Sequence, residues 1–335
     1  MRSLARSRTI TVPLLTVVSL LAGSAMAAPP DADSAGASPR LKYLPKDYWG
    51  VAELDCGTVM KLLSSENVQK NPQFAQLQQY LLLVKKFTAI DPEKDLDWIT
   101  VFASGAPEDK KVLLVVQGSF KNEVVAKALG TSLADSITET TYKKQTIYGI
   151  PNASLCFPEA STILVGDDAL VHEAIDQLAA GPRKLPVALK SVLDRTHGKS
   201  VVWAALQPQV LLEQKELAGW AADNGDLFGA LKKIECLSLS FDASEDGLSI
   251  KGLGYASAPG EAKKFHQYLS DRRKNLLHEE GSNVLFTSLL ILSEIKTSGP
   301  FVEGSFRLTG QAFKELWETK VIVRPGTPAG SGKDR

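Results

Sequence analysis

The chain reads as one structural sentence written twice. From residue 49 to 178, and again from 200 to 317, apolar runs and turn residues spell strand, helix, two strands, helix, then further strand and helix. The stretch 260–269 follows the second hairpin as 120–129 follows the first, and 308–313 answers 165–170 in role. A segment that buries one face must pack it against another layer, so this order restricts the fold class to α+β. The expected architecture is two tandem related lobes, each a mainly antiparallel sheet with helices packed on one face. A signal peptide at 1–27 and a disordered linker at 28–42 precede lobe 1, residues 43–182. A bridging segment, 183–199, leads to lobe 2 at 200–320 and a loose C-terminal tail, 321–335.

The first residues carry their own message. Arg2, Arg6 and Arg8 form a basic stretch without acid, residues 10–21 are an apolar run, and Ala25-Met26-Ala27 is a small-x-small cleavage site. That apolar run is too short to span a bilayer, so it reads as a cleaved secretory signal. The expected location is periplasmic or secreted, and no later run, 284–292 included, is long enough to cross a membrane. Removing three arginines and no acid from 38 basic and 38 acidic residues leaves a mature chain of formal charge −3. A mildly acidic exported chain has no nucleic-acid partner, whose phosphates require a basic footprint.

Within the first half, Asn71-Pro72 starts a helix whose Phe74, Leu77, Leu81 and Val84 recur at three- and four-residue spacing, the mark of a core-facing stripe. Asp91-Pro92 ends it. The run 112–116 is apolar on both faces, as a central strand requires. Strands at 145–150, 154–157 and 162–165 follow, and Asp167 or Asp168 caps a helix over 169–178. In the second half 210–232 reads mostly as helix, and 235–241 and 248–255 flank a turn as a hairpin. Helices are expected over 259–273, 284–292 and 311–317, the last capped by Thr309.

Motifs with chemistry are nearly absent. His197-Gly198-Lys199-Ser200 ends like a phosphate-binding loop, but Leu193 stands where the first glycine belongs and the order is helix to strand, so a turn is the reading. Gly252-Leu253-Gly254 lies in an antiparallel hairpin rather than a βαβ unit. Asp242 to Gly247 begins like a calcium loop, yet Leu253 replaces the bidentate glutamate. Ser293-Glu294-Ile295-Lys296 has the spacing that sets a lysine beside a serine on one helical turn, without its companion motifs. Asn152-Ala153-Ser154 matches a glycosylation sequon.

His172, His197, His266 and His278 are scattered without metal-ligand spacing. No catalytic, cofactor-binding or metal residue is assigned, and no cofactor is called for. The odd set Cys56, Cys156 and Cys236 allows at most one disulfide, and apolar surroundings favour three small buried hydrophobes.

Residues 90–101, Ile-Asp-Pro-Glu-Lys-Asp-Leu-Asp-Trp-Ile-Thr-Val, with 144–149 and 162–170, resemble a family of uncharacterised exported bacterial proteins common in planctomycetes. Leu44-Pro45-Lys46-Asp47 is similar to the start of larger exported proteins of unknown function with repeated α+β units. The resemblance extends to about residue 178 and implies a fold, not a catalytic residue. The functional expectation is a non-catalytic exported binding or interaction module, of unknown ligand, with its site between the lobes. The alternatives are an extracellular hydrolase whose site is assembled from distant residues, and a carrier of an apolar ligand.

Overall fold

A computed structural model describes residues 39–63, 72–106, 108–132, 137–181, 184–196, 200–213, 225–244, 247–276 and 293–309. The strands join in one antiparallel sheet of twelve, in the order β11-β12-β10-β9-β8-β1-β2-β3-β7-β6-β5-β4. They are β1 (Tyr48–Asp55), β2 (Leu96–Ser104), β3 (Lys111–Gly118), β4 (Thr138–Tyr142), β5 (Gln145–Ile150) and β6 (Ala153–Glu159). Then come β7 (Thr162–Gly166), β8 (Val202–Leu206), β9 (Ile234–Ser244), β10 (Gly247–Ala256), β11 (Glu294–Ser298) and β12 (Phe301–Thr309). A 3-10 helix, Pro39–Tyr43, opens the fold. The helices are α1 (Cys56–Leu63), α2 (Pro72–Thr88), α3 (Asn122–Ser132), α4 (Asp168–Ala180), α5 (Val187–Thr196), α6 (Pro208–Leu212), α7 (Gly225–Leu231) and α8 (Pro259–Leu276).

Where two sheets were expected, β1 and β8 pair from Gly50↔Leu206 to Leu54↔Val202 and fuse the halves into one. Helices also cover both faces, not one. The 3-10 helix, α4 and α5 close the main core over Val51, Phe102, Leu113, Val115, Leu164 and Trp203. On the opposite face α1 covers Leu54 and Val202, α3 covers Leu155 and Ile163, and α8 covers Ile234 and Val302. The run 112–116 explains why: Val115 points into the main core while Val116 packs beneath α3, so one face of helices could not bury both. Burying each such side chain stabilises the fold by about 1.5–3 kcal/mol.

Residues 39–42 fall within the expected disordered linker, 28–42, but form part of the 3-10 helix. Leu41 and Tyr43 are core residues, and their burial folds the last linker residues into the 3-10 helix. The Tyr43 hydroxyl (2.7 Å) and the Lys42 ammonium both donate to the Glu159 carboxylate on β6. Burial would raise the Glu159 pKa, but these donors win and hold it below its ordinary value. A depressed carboxylate contributes stability above its unfolded pKa and loses it as pH falls through the folded one. Glu159 is partly exposed, so Glu159→Gln should cost only about 0.5–1 kcal/mol at neutral pH. Melts of both proteins in an acid series should converge below the ordinary glutamate range; a constant gap would rule out this pairing.

Other boundaries moved for local reasons. The helix after β7 starts at Asp168; Asp167 holds the N-cap position without a side-chain cap bond, and its carboxylate reaches the Val112 amide instead. β4 and β11 were not expected. The expected helices 284–292 and 311–317 lie outside the described residues, as does the middle of 210–232, whose ends form α6 and α7.

Candidate functional site

The expected groove between the halves is occupied by the β8–β1 strand pair, and a buried polar cluster sits on that seam. Glu53 of β1 faces Thr100 of β2 on one side and Trp203 of β8 on the other, because antiparallel register sets these residues opposite one another. Arg40 reaches down from the 3-10 helix. Its Nε and Nη2 donate to Oε1 and Oε2 of Glu53, both at 3.1 Å, while its guanidinium stacks 4.0 Å over the Trp98 ring. The Thr100 hydroxyl donates to Oε1 at 3.2 Å and the Trp203 indole N–H to Oε2 at 3.1 Å. Glu53 is 1 % exposed and Trp203 equally so.

Each carboxylate oxygen has about two acceptor positions. Two donors on each oxygen fill them. Glu53 is thus committed to Arg40, Thr100 and Trp203, and the cluster is a structural clamp across β8, β1 and β2. Sequence reading passed over it because Arg40 lay in the expected linker and Trp203 is 150 positions from Glu53.

A second cluster bears on the hydrolase reading. Asp168, His172 and Asp176 share one face of α4 at four-residue spacing. The Ser154 hydroxyl donates to Asp168 Oδ1 at 2.7 Å, and His172 Nδ1 lies 3.2 Å from Oδ2 of the same carboxylate. A serine nucleophile requires the imidazole between hydroxyl and carboxylate. Here the carboxylate lies between, so His172 does not touch the hydroxyl it would have to activate. The imidazole instead meets the Tyr142 ring edge-on at 4.3 Å, and Tyr142 and Lys143 both donate to Asp176. These contacts fasten the β4–β5 hairpin onto α4.

The remaining candidates separate. His266 is half-buried on α8 and makes no hydrogen bond or ion pair with a Ser, Cys or carboxylate among the described residues. His197 and His278 lie outside the described residues, with Gly198 and Lys199. Ser293 and Lys296 sit before and within β11, not on a helix, so they do not share one helical turn, and Lys296 pairs with Glu294. Gly252 and Gly254 keep regular register in β10, opposite Leu239 and Leu237, with no bulge between them. The pairing shifts register further along, between Tyr255 and Ala256. Asp242 belongs to β9, burial raises its pKa, and residues 245–246 of the tip lie outside the described residues. Asn152 is exposed at a turn with φ +67°, while Ser154 is committed to Asp168. All three cysteines are free and buried, their thiols pushed up to about 12 by desolvation above all. Such thiols are inert.

The surface feature that stands apart is α2. Tyr80, Leu82, Leu83, Val84 and Phe87 are between 40 % and 66 % exposed; among the described residues only Val124, Val187 and Leu239 are comparable large apolar side chains. Tyr80, Leu83, Val84 and Phe87 follow the i, i+3, i+4, i+7 spacing and form one stripe about 100° wide. Val84 was expected to face the core and faces out; Leu81 is half-buried, and the side chains of Phe74 and Leu77 lie outside the described residues. The helix packs beside α3 and has no acidic residue. It stops where Ala89 turns left-handed at φ +57°, and Lys85 reaches forward to Asp91 at 2.7 Å.

No family model matches the chain, and comparison with curated proteins finds no relative. Among solved structures it is distantly similar to TP0453. Crystal form III matches at 12 % identity and a TM-score of 0.43, over 85 % of this chain and 100 % of that one. Form I gives 11 % and 0.42 over 85 % and 98 %, and form IV 13 % and 0.44 over 83 % and 95 %.

Proposed function

We propose that this chain is an exported, non-catalytic interaction module that docks through α2 onto a partner presenting an apolar, negatively charged surface. The observation that carries the reading is the concentration of exposed large apolar side chains on two turns of α2. Contiguous exposed apolar surface marks an interaction site, whereas scattered single residues do not. Export rests on the basic stretch, the apolar run and Ala25-Met26-Ala27.

The scaffold is a duplicated α+β unit. Outward from the β8–β1 pair, the strand order runs β1-β2-β3-β7-β6 one way and β8-β9-β10-β12-β11 the other. Each series is a strand, a hairpin and a returning hairpin in the same order, which supports two related lobes sharing one sheet. The α2 stripe belongs to the first copy; residues 214–224, at the corresponding place in the second, lie outside the described residues.

An apolar anionic dye, anilinonaphthalene sulfonate, tests the surface. The folded mature chain should bind it with a blue-shifted emission, and Leu83→Asp/Phe87→Asp should remove about half the signal or more. No binding, or an unchanged signal in the variant, removes the reading. Mass analysis of the exported protein should place its N-terminus at Ala28.

A further inference from the structure

We infer that the occupant of the α2 surface is an anionic lipid membrane, on which α2 lies as a peripheral, in-plane anchor. The inference rests on the reading of α2 as the docking element and names its partner. Geometry supplies the first argument. The stripe of Tyr80, Leu83, Val84 and Phe87 is convex and continuous, flanked by Leu82 on α2, and neighbouring α3 also exposes Val124. A convex helix fits a deformable interface without needing a complementary groove. An interfacial helix sinks its apolar side about 5–10 Å into the headgroup–acyl boundary. Tyr80 and Phe87 are side chains of the kind that settle at that level.

Charge decides among occupants. Lys85 is held by Asp91, and Asp95 accepts from the Asp91 amide, while Lys86 on α2, Lys94 in the following turn and Lys121 and Lys127 around α3 are exposed against two exposed carboxylates, Glu93 and Glu123. The mature chain has a formal charge of −3, so this positive apolar surface runs against the balance of the molecule. A second copy would set the same basic surface against itself and be repelled. Anionic headgroups would instead attract it, each lysine near the surface contributing about fivefold to binding. The attachment is peripheral, since no helix among the described residues is long and apolar enough to cross a bilayer.

Flotation of the full mature chain with phosphatidylcholine vesicles, with or without phosphatidylglycerol, tests this. The chain should float only with phosphatidylglycerol and be released by high salt. Leu83→Asp/Phe87→Asp should weaken partition by about tenfold or more, and Lys86→Gln by about fivefold. Both replaced apolar residues are exposed, so the melting temperature should hold; Leu82→Asp alone replaces the pair if it does not fold. Absence from the floating fraction at every composition, or equal flotation of wild type and variants, overturns the inference. If dye binding depends on Leu83 and Phe87 but vesicles are ignored, the lipid falls and the docking surface stands. Concentration-dependent dimers lost in the same variants would assign the surface to a second copy. If dye and vesicles both fail, both readings fall.

Discussion

Glu53→Ala should be among the most destabilising side-chain truncations of the described residues, at about 3–5 kcal/mol, because it leaves the Arg40 guanidinium without its carboxylate in a buried site. Arg40 is 8 % exposed, and the lost acceptor also served Thr100 and Trp203. For a chain this long each kcal/mol moves the melting temperature by roughly 2 °C, so a fall of about 6–10 °C is expected. Glu53→Gln keeps the volume but not the charge, and should fall nearly as far. Trp203→Phe removes the indole donor and shrinks a buried side chain, for about 2–3 kcal/mol. The decisive protein is Arg40→Met/Glu53→Leu. Replacing both members of a buried pair by apolar side chains restores much of what either single change loses. Thermal or urea unfolding of the wild type, Arg40→Met, Glu53→Leu and the double variant closes a double-mutant cycle. A coupling near zero would mean that the clamp does not hold the seam.

The clamp also explains what could and could not be read from the sequence. The central strands were legible because each fills a local rule: 112–116 is apolar on both faces, and β3 lies between β2 and β7 with helices on both sides. The hairpin β9–β10 was legible from its turn. Thr138–Tyr142 and Glu294–Ser298 were not, because both are mostly exposed edge strands and have no apolar alternation to detect. Fusion of the halves was hidden for another reason. Whether two α+β units make two sheets or one depends on pairing between Gly50–Leu54 and Val202–Leu206, segments about 150 residues apart, and nothing local encodes that choice. Glu53 read as one more polar residue in an alternating strand. Only the register that brings Thr100 and Trp203 beside it, with Arg40 above, gives it a role. The face of α2 was misjudged because Tyr80-Leu81-Leu82-Leu83-Val84 is apolar at every position. An unbroken apolar run satisfies several helical stripes at once, and in the helix packed beside α3 Leu81 is half-buried while Val84 faces out.

Gly118→Ala should be the second large effect, and it tests a backbone contact that no side chain reports. Pairing between β2 and β3 shifts register between Leu96 and Trp98, and this irregularity folds the Asp95 carbonyl over the end of β3. The Ser119 amide donates to that carbonyl at 2.9 Å, and the Asp95 carboxylate accepts from the Asp91 amide at 2.8 Å. A Cβ on Gly118 would lie 1.7 Å from the Asp95 carbonyl oxygen and 2.8 Å from its carbon. Backbone cannot rotate away as a side chain can, so either the bulge or the end of β3 must open. Overpacking of this kind costs about 3 kcal/mol or more, a fall of roughly 6 °C. Gly229→Ala is the matched control. Its Cβ would meet nothing within 4 Å inside α7, and alanine in a helix interior gains about 0.5–1 kcal/mol over glycine. The same substitution should therefore lower the melting temperature at one site and raise it slightly at the other. Hydrogen exchange locates the cause: Gly118→Ala should lose protection first at Ser119 and Asp91, the amides held by Asp95. Loss spread evenly over the sheet would mean the bulge is not where the strain falls.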